Sequence, residues 1–308
     1  MTSYRGFPLS NLAIKLCAVA LALVMAGAAT VASADPPKDK DKDKDKDAYL
    51  ALGDSVVFGY ITRAGYAWGN ANNFIGYPDY VGLELDLSSA DAACPGETTS
   101  GFISSIGADN GCRPYRANFP LHVAYNSTQL DYATQFLAKH KKTKLVSVSL
   151  GANDLFLLQK ACFLQPDPAA CIATGLPGAL GAIGANMNTI LGSLRATGFK
   201  GVLMVVNYYS LDYSDPQGTA ITALLNQVLA DVADANGAVV ADAYSAFGAA
   251  AMTPFAGGQP CKTGLLNVNP QDPTLSTCDV HPSQSGQQLL ADTVEAAYLA
   301  ARHGKGKH

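Results

Sequence analysis

Ser55 lies in "YLALGDSVVFGY" (49–60), where an apolar run breaks at Gly53-Asp54-Ser55. A hydroxyl at the end of a buried strand is either a turn residue or a nucleophile. A serine nucleophile needs a base for its proton and donors for the oxyanion that forms on the attacked carbonyl. Three other segments hold such groups. "CPGETTSG" (94–101) offers the backbone N–H of Gly96. "SLGAND" (149–154) offers the side-chain amide of Asn153, which donates at neutral pH without carrying a charge. "CDVHPSQSG" (278–286) offers the imidazole of His281 as base. The N–H of Ser55 itself is a further oxyanion donor. Each segment alone reads as turn or cap chemistry. Together their roles are those that acyl transfer requires. His122 and His140 are the other candidate bases, but neither stands in a strand-end motif, and His140 belongs to the basic run "KHKK".

These groups need elements to position them. "AYLALGD" (48–54), "KLVSVSLG" (144–151), "GVLMVVNYY" (201–209) and "GAVVADAY" (237–244) read as buried strands. A fifth lies within 82–94, where "GLEL" equally fits the end of a helix. Helical periodicity covers 127–140, 183–198, 218–237 and 283–303, so "CDVHPSQSG" reads as the opening of the last helix. Alternation of strand and helix predicts a mostly parallel sheet covered on both faces. Such sheets bind ligands at the carboxyl ends of their strands, where Ser55 and Asn153 fall. The Gly/Asn-rich stretch "AGYAWGNANNFIGYPDY" (64–80) brings Tyr66, Trp68, Phe74 and Tyr77 soon after the serine. They fit an aromatic rim for an acyl chain and, equally, a loop packed on the core.

The four segments, "GDSVVFG", "CPGETT", "SLGAND" and "DVHP", resemble in kind and order the four blocks of the SGNH hydrolases, also called GDSL esterases and lipases. The resemblance runs from about residue 48 to about residue 300. It implies a flavodoxin-like three-layer α/β/α sandwich and ester hydrolysis through an acyl-enzyme, with no metal or organic cofactor. It also implies Ser55 as nucleophile, Ser55, Gly96 and Asn153 as the oxyanion hole, and His281 as base. One position departs. The family usually has Asp three residues before this histidine; here that residue is Cys278, and the acid is Asp279, two residues before. Either Asp279 reaches His281 and completes a triad, or the backbone carbonyl at Cys278 holds the imidazole, as in family members that work with a Ser–His dyad.

The N-terminus has Arg5 and Lys15, then "LCAVALALVMAGAATV" and Ala32-Ser33-Ala34, the pattern of a secretory signal cleaved after Ala34. The competing reading, an uncleaved anchor, suits the short Ala-rich run less well. Cys17 precedes the apolar core, which does not fit a lipid-anchored form. Cleavage leaves 274 residues and a net charge of −6, because the leader carries two basic residues and no acid. The chain is mildly acidic, and no basic patch suggests nucleic acid as a partner. The expected partner is a small-molecule or lipid ester, met by a secreted monomer without a stable membrane anchor. "DPPKDKDKDKDKD" (35–47) reads as a solvated linker and residues 304–308 as a frayed tail, leaving 48–303 as one domain.

Six cysteines remain after the leader: Cys94, Cys112, Cys162, Cys171, Cys261 and Cys278. An even count behind a secretory signal predicts three disulfides, and nearest-neighbour pairing is one of the ~15 ways to form them. No Cys-x-x-Cys pair supports a metal site. A second function class is a binding protein for carbohydrate or cell wall on an inactive version of this fold. Keeping all four blocks argues against it.

Overall fold

A computed structural model describes residues 46–62, 64–268 and 278–305. The expected signal, most of the linker and the end of the tail lie outside them. In chain order the elements are β1 (Ala48–Gly53), α1 (Ser55–Phe58), α2 (Tyr77–Glu84), β2 (Ser88–Asp91), α3 (Thr99–Ile103), α4 (Cys112–Asn118), α5 (Gln129–Lys139) and β3 (Thr143–Ser149). Then follow α6 (Ala152–Phe163), α7 (Pro168–Ala196), β4 (Val202–Val206), α8 (Pro216–Ala235), β5 (Val239–Ala241), α9 (Ala243–Ala251), β6 (Leu266–Val268), β7 (Cys278–Pro282) and α10 (Gln284–Lys305).

The first five strands form one parallel sheet in the order β2-β1-β3-β4-β5. This is the flavodoxin-like order, and its direction reverses between β1 and β3. Every residue of β1 and of β4 is buried, as expected of strands covered on both faces. Helices α5, α7 and α8 pack together on one face, and α2, α9 and α10 on the other. The expected three-layer α/β/α sandwich is therefore present. Ser147, in the middle of β3, is buried and polar, and the hydroxyls of Tyr49 and Tyr77 hydrogen-bond to it at 2.7 and 3.2 Å.

Several boundaries differ from the sequence expectation. The segment 82–94 divides: its first residues finish α2, and only Ser88–Asp91 form a strand, after Asp86 turns the chain at φ 50°. β5 stops at Ala241 because the Asp242 carboxylate accepts the Ser245 N–H and caps α9. The expected helix at 183–198 is only the packed half of α7, which starts fifteen residues earlier behind the cap of Asp167.

The most consequential change concerns "CDVHP". It does not open the last helix. It is strand β7, antiparallel to β6 in a separate two-stranded sheet. Disulfides join Cys94–Cys112, Cys162–Cys171 and Cys261–Cys278, which is the nearest-neighbour pairing.

Candidate active site

The reversal point of the sheet holds the serine. Gly53 ends β1 at φ 149°, and a Cβ there would stand 2.4 Å from the Ser149 carbonyl oxygen, so only glycine fits. The Gln129 side chain clamps this residue, accepting the Gly53 N–H at 2.6 Å and donating to its carbonyl at 3.0 Å. Asp54 then caps α1 by accepting the Val56 N–H at 2.9 Å. Ser55 is thereby fixed as the first residue of a helical turn, 9% exposed at the floor of a cavity.

β7 delivers the other end of the chain. Alternate residues of a strand share a face, so Asp279 and His281, two apart, project together. The spacing that looked irregular in a helix-opening segment is the natural one in a strand. Ser55 Oγ lies 2.9 Å from His281 Nε2, and His281 Nδ1 lies 2.9 Å from Asp279 Oδ1. An ionised carboxylate only accepts, so Nδ1 carries the imidazole proton and Nε2 is free to accept from the serine hydroxyl.

Thr62 braces the pair. Its N–H donates to Asp279 Oδ2 at 3.3 Å, and its hydroxyl lies 3.3 Å from His281 Nδ1. Among the described residues these are the partners of Nδ1, and the Cys278 carbonyl is not one of them. Burial raises the Asp279 pKa, but the hydrogen bond and charge of His281 and two bonds from Thr62 outweigh it and hold the carboxyl below its usual range. The Tyr209 hydroxyl donates to the Val280 carbonyl at 2.6 Å, and the Cys261–Cys278 bridge anchors the start of the strand.

Asn153 enters as the second residue of α6, not in an open turn. Its amide is held from both ends. Oδ1 accepts from Asn110 Nδ2 at 2.6 Å, and Nδ2 donates to the Glu97 carbonyl at 3.0 Å and toward Asp54 Oδ2 at 3.4 Å. Lys160 donates to Asn110 Oδ1 behind it. Gly96 has φ 83°, and a Cβ there would meet Asn110 and Gly111 backbone at 2.9 Å. Among the described residues neither the Ser55 nor the Gly96 N–H has a hydrogen-bond acceptor. The Asp154 carboxylate accepts the N–H and hydroxyl of Thr99 at 3.0 and 2.7 Å, tying the start of α6 to the Gly96 loop.

Two buried acids surround these groups. Burial pushes Asp54 up to about 6, against the opposing Tyr208 hydroxyl (2.6 Å), the Val56 N–H and the charge of His281. Burial pushes Glu97 up to about 8, opposed mainly by the Thr98 N–H. Cys94, Glu97 and Cys112 cluster closely enough to hold an ion, but both sulfurs are spent in one disulfide.

A cavity of about 310 Å³ opens at Ser55 and His281. Its walls are apolar residues from α6 and α8 (Leu155, Phe156, Ile221, Leu225) and the segment Tyr208–Leu211 beyond β4. The aromatic stretch at 64–80 does not form its rim. Phe74 and Tyr77 are buried in the core, Trp68 stacks on Tyr60 at 6.1 Å, and Tyr66 is fully exposed. His122 faces the Phe58 carbonyl at 3.1 Å and His140 stacks on Phe136 at 3.9 Å, so neither reaches the serine.

Sequence reasoning missed Thr62, Asn110, Tyr208 and Tyr209. Asn110 had a usable signal: it stands two residues before Cys112, whose bridge to Cys94 carries it to Gly96.

A search of curated proteins found no match to the chain. Among solved structures it is similar to phospholipase A1 from Streptomyces albidoflavus NA297, at 20% identity and TM-score 0.52, covering 82% of this chain and 99% of that one. It is similar to an extracellular lipase from Streptomyces rimosus, at 20% identity and TM-score 0.51, covering 81% and 99%. It is also similar to a catalytic mutant of an acetylxylan esterase from Geobacillus stearothermophilus, at 15% identity and TM-score 0.51, covering 82% and 94%. At these identities the likeness speaks for the fold. The sequence profile of the GDSL-like Lipase/Acylhydrolase family matches residues 51–289, most of the chain, so the protein belongs to that family and is a carboxylic ester hydrolase.

Proposed function

We propose that the protein is a secreted serine esterase or lipase that works through an acyl-enzyme with Ser55, His281 and Asp279 as a triad. The observation that carries this reading is the unbroken line of two 2.9 Å contacts from Ser55 Oγ through the imidazole to the Asp279 carboxylate. His281 Nε2 takes the Ser55 proton as Oγ attacks the ester carbonyl carbon. Charge moves to the carbonyl oxygen, where the Ser55 and Gly96 N–H groups receive it, joined by Asn153 Nδ2 as it exchanges its long 3.4 Å contact with Asp54 for the oxyanion. The imidazolium, steadied by Asp279, gives its proton to the leaving alcohol. Water, deprotonated at the same nitrogen, then attacks the acyl-enzyme and frees the acid.

The N–H groups of Ser55 and Gly96, which have no acceptor among the described residues, support the oxyanion assignment, and the bond from Asn110 fixes the Asn153 amide beside them. An inactive binding version of the fold would not be expected to retain the serine–histidine–aspartate line. Three disulfides support an oxidising destination, and with it cleavage after Ala34. The test is Ser55→Ala on a soluble p-nitrophenyl ester. Turnover should fall by at least ~10³-fold with the melting temperature unchanged, because loss of a triad nucleophile leaves only binding and the oxyanion donors. Retained turnover would remove Ser55 from the mechanism.

A further inference from the structure

Helices α6 and α7 form a hairpin that outgrows the sheet. α7 has 29 residues, whereas β3 and β4 have seven and five. Its fully buried residues, Ile183, Met187, Ile190, Leu191 and Leu194, all lie in its second half, which descends along the sheet toward the start of β4. At 1.5 Å per residue, 168–182 extends about 20 Å past the carboxyl edge of the sheet, the edge that carries Ser55 and the cavity. α6 leaves that same edge at Asn153 and packs along α7, with Gly175 against Leu158. The Cys162–Cys171 bridge closes the hairpin tip.

The tip is apolar and open to solvent. Phe163 is 77% exposed and Leu164 86%. Ala152, Phe156 and Gln159 line the cavity, and Phe163, four residues beyond Gln159, continues the same helical face. Across the cavity Leu211 also lines it and is 43% exposed. From Ala161 to Leu194 the only charged side chain is Asp167. The nearest basic side chain, Lys160, one turn back on α6, is engaged by Asn110 Oδ1, so the tip itself offers little to anionic headgroups, while its apolar side chains gain by leaving water.

We infer that the α6–α7 tip, led by Phe163 and Leu164, inserts into an electrically neutral lipid surface and seats the cavity mouth against it. This rests on the ester-hydrolase reading of the cavity, because continuity with that cavity is what selects lipid as the occupant. The Ser55→Ala chain, which leaves lipid intact, should float with phosphatidylcholine vesicles, and adding Phe163→Gln and Leu164→Gln should weaken that partitioning about tenfold or more. The two glutamines alone, with Ser55 present, should leave hydrolysis of soluble p-nitrophenyl acetate unchanged. A Phe163→Trp chain should shift its emission to the blue on the same vesicles.

Equal flotation with and without the glutamines would overturn the inference. So would flotation that needs anionic phosphatidylglycerol and disappears at high salt, or a tip-dependent dimer in place of vesicle binding. Failure of the native chain to cleave p-nitrophenyl acetate would instead strike at the esterase reading, and flotation would be judged separately.

Discussion

Asp279→Ala tests whether the acid two residues before His281 completes the triad. In the protein, Asp279 Oδ1 stands 2.9 Å from His281 Nδ1, and both side chains are almost buried, at 12% and 13% exposure. When His281 takes the serine proton, a positive imidazolium faces this carboxylate. At that separation an effective dielectric of ~20 gives an attraction of about 6 kcal/mol. Each ~1.36 kcal/mol is a factor of ten in rate, so the full attraction corresponds to about 10⁴-fold. The Thr62 hydroxyl, 3.3 Å from Nδ1, holds the ring in part after the carboxylate is gone. The expected loss in kcat is therefore about 10³- to 10⁴-fold, with KM on a soluble p-nitrophenyl ester little changed. Asp279→Asn should lose a similar amount, because its amide can present a donor to Nδ1 and favour the wrong tautomer. The assay is steady-state hydrolysis beside a thermal melt that verifies folding. A folded variant within about tenfold of the native rate would refute this reasoning and return the role to a backbone carbonyl.

Asn110→Ala should lower kcat about tenfold or more with KM nearly constant, because it frees the Asn153 amide that Asn110 orients at 2.6 Å. An equal rise in KM would instead indicate a collapsed pocket. Glu97, pushed up to about 8 from an ordinary value of 4.5, keeps its proton in the folded chain over a range where the unfolded chain has released it. Its contribution to stability is thus present below about 4.5 and lost as pH rises through about 8, a cost of about 5 kcal/mol. The melting temperature should fall between mildly acidic and alkaline pH, and Glu97→Gln should flatten that fall; an unchanged profile in the variant would contradict the assignment.

The strands that carry the chemistry were legible because they are buried on both faces. "AYLALGD", "KLVSVSLG" and "GVLMVV" contain little but apolar residues, and Ser55 and Asn153 follow directly from two of them. The disulfide pairing was also within reach, since each bridge closes a loop of at most 18 residues. What sequence reasoning misplaced was conformational context. "CDVHP" precedes a strongly helical pattern and reads as its opening, which hides the two-residue period that puts Asp279 beside His281. The aromatic stretch at 64–80 drew attention to the wrong side, because aromatic density does not distinguish a rim from a core. The cavity walls come from α6, α8 and residues 208–211, whose local patterns are ordinary until long-range packing brings them together. Asn110 reaches Asn153 across 43 residues of chain, and Thr62 reaches Asp279 and His281 across 217 and 219, contacts that no local pattern encodes.

The most direct test of the central claim is covalent labelling with a fluorophosphonate probe, which reacts with a serine activated by an adjacent base. Peptide mapping of the labelled chain should place one adduct on Ser55, and His281→Ala should abolish labelling while the chain stays folded. Labelling at another serine, or undiminished labelling of Ser55 without His281, would contradict the account.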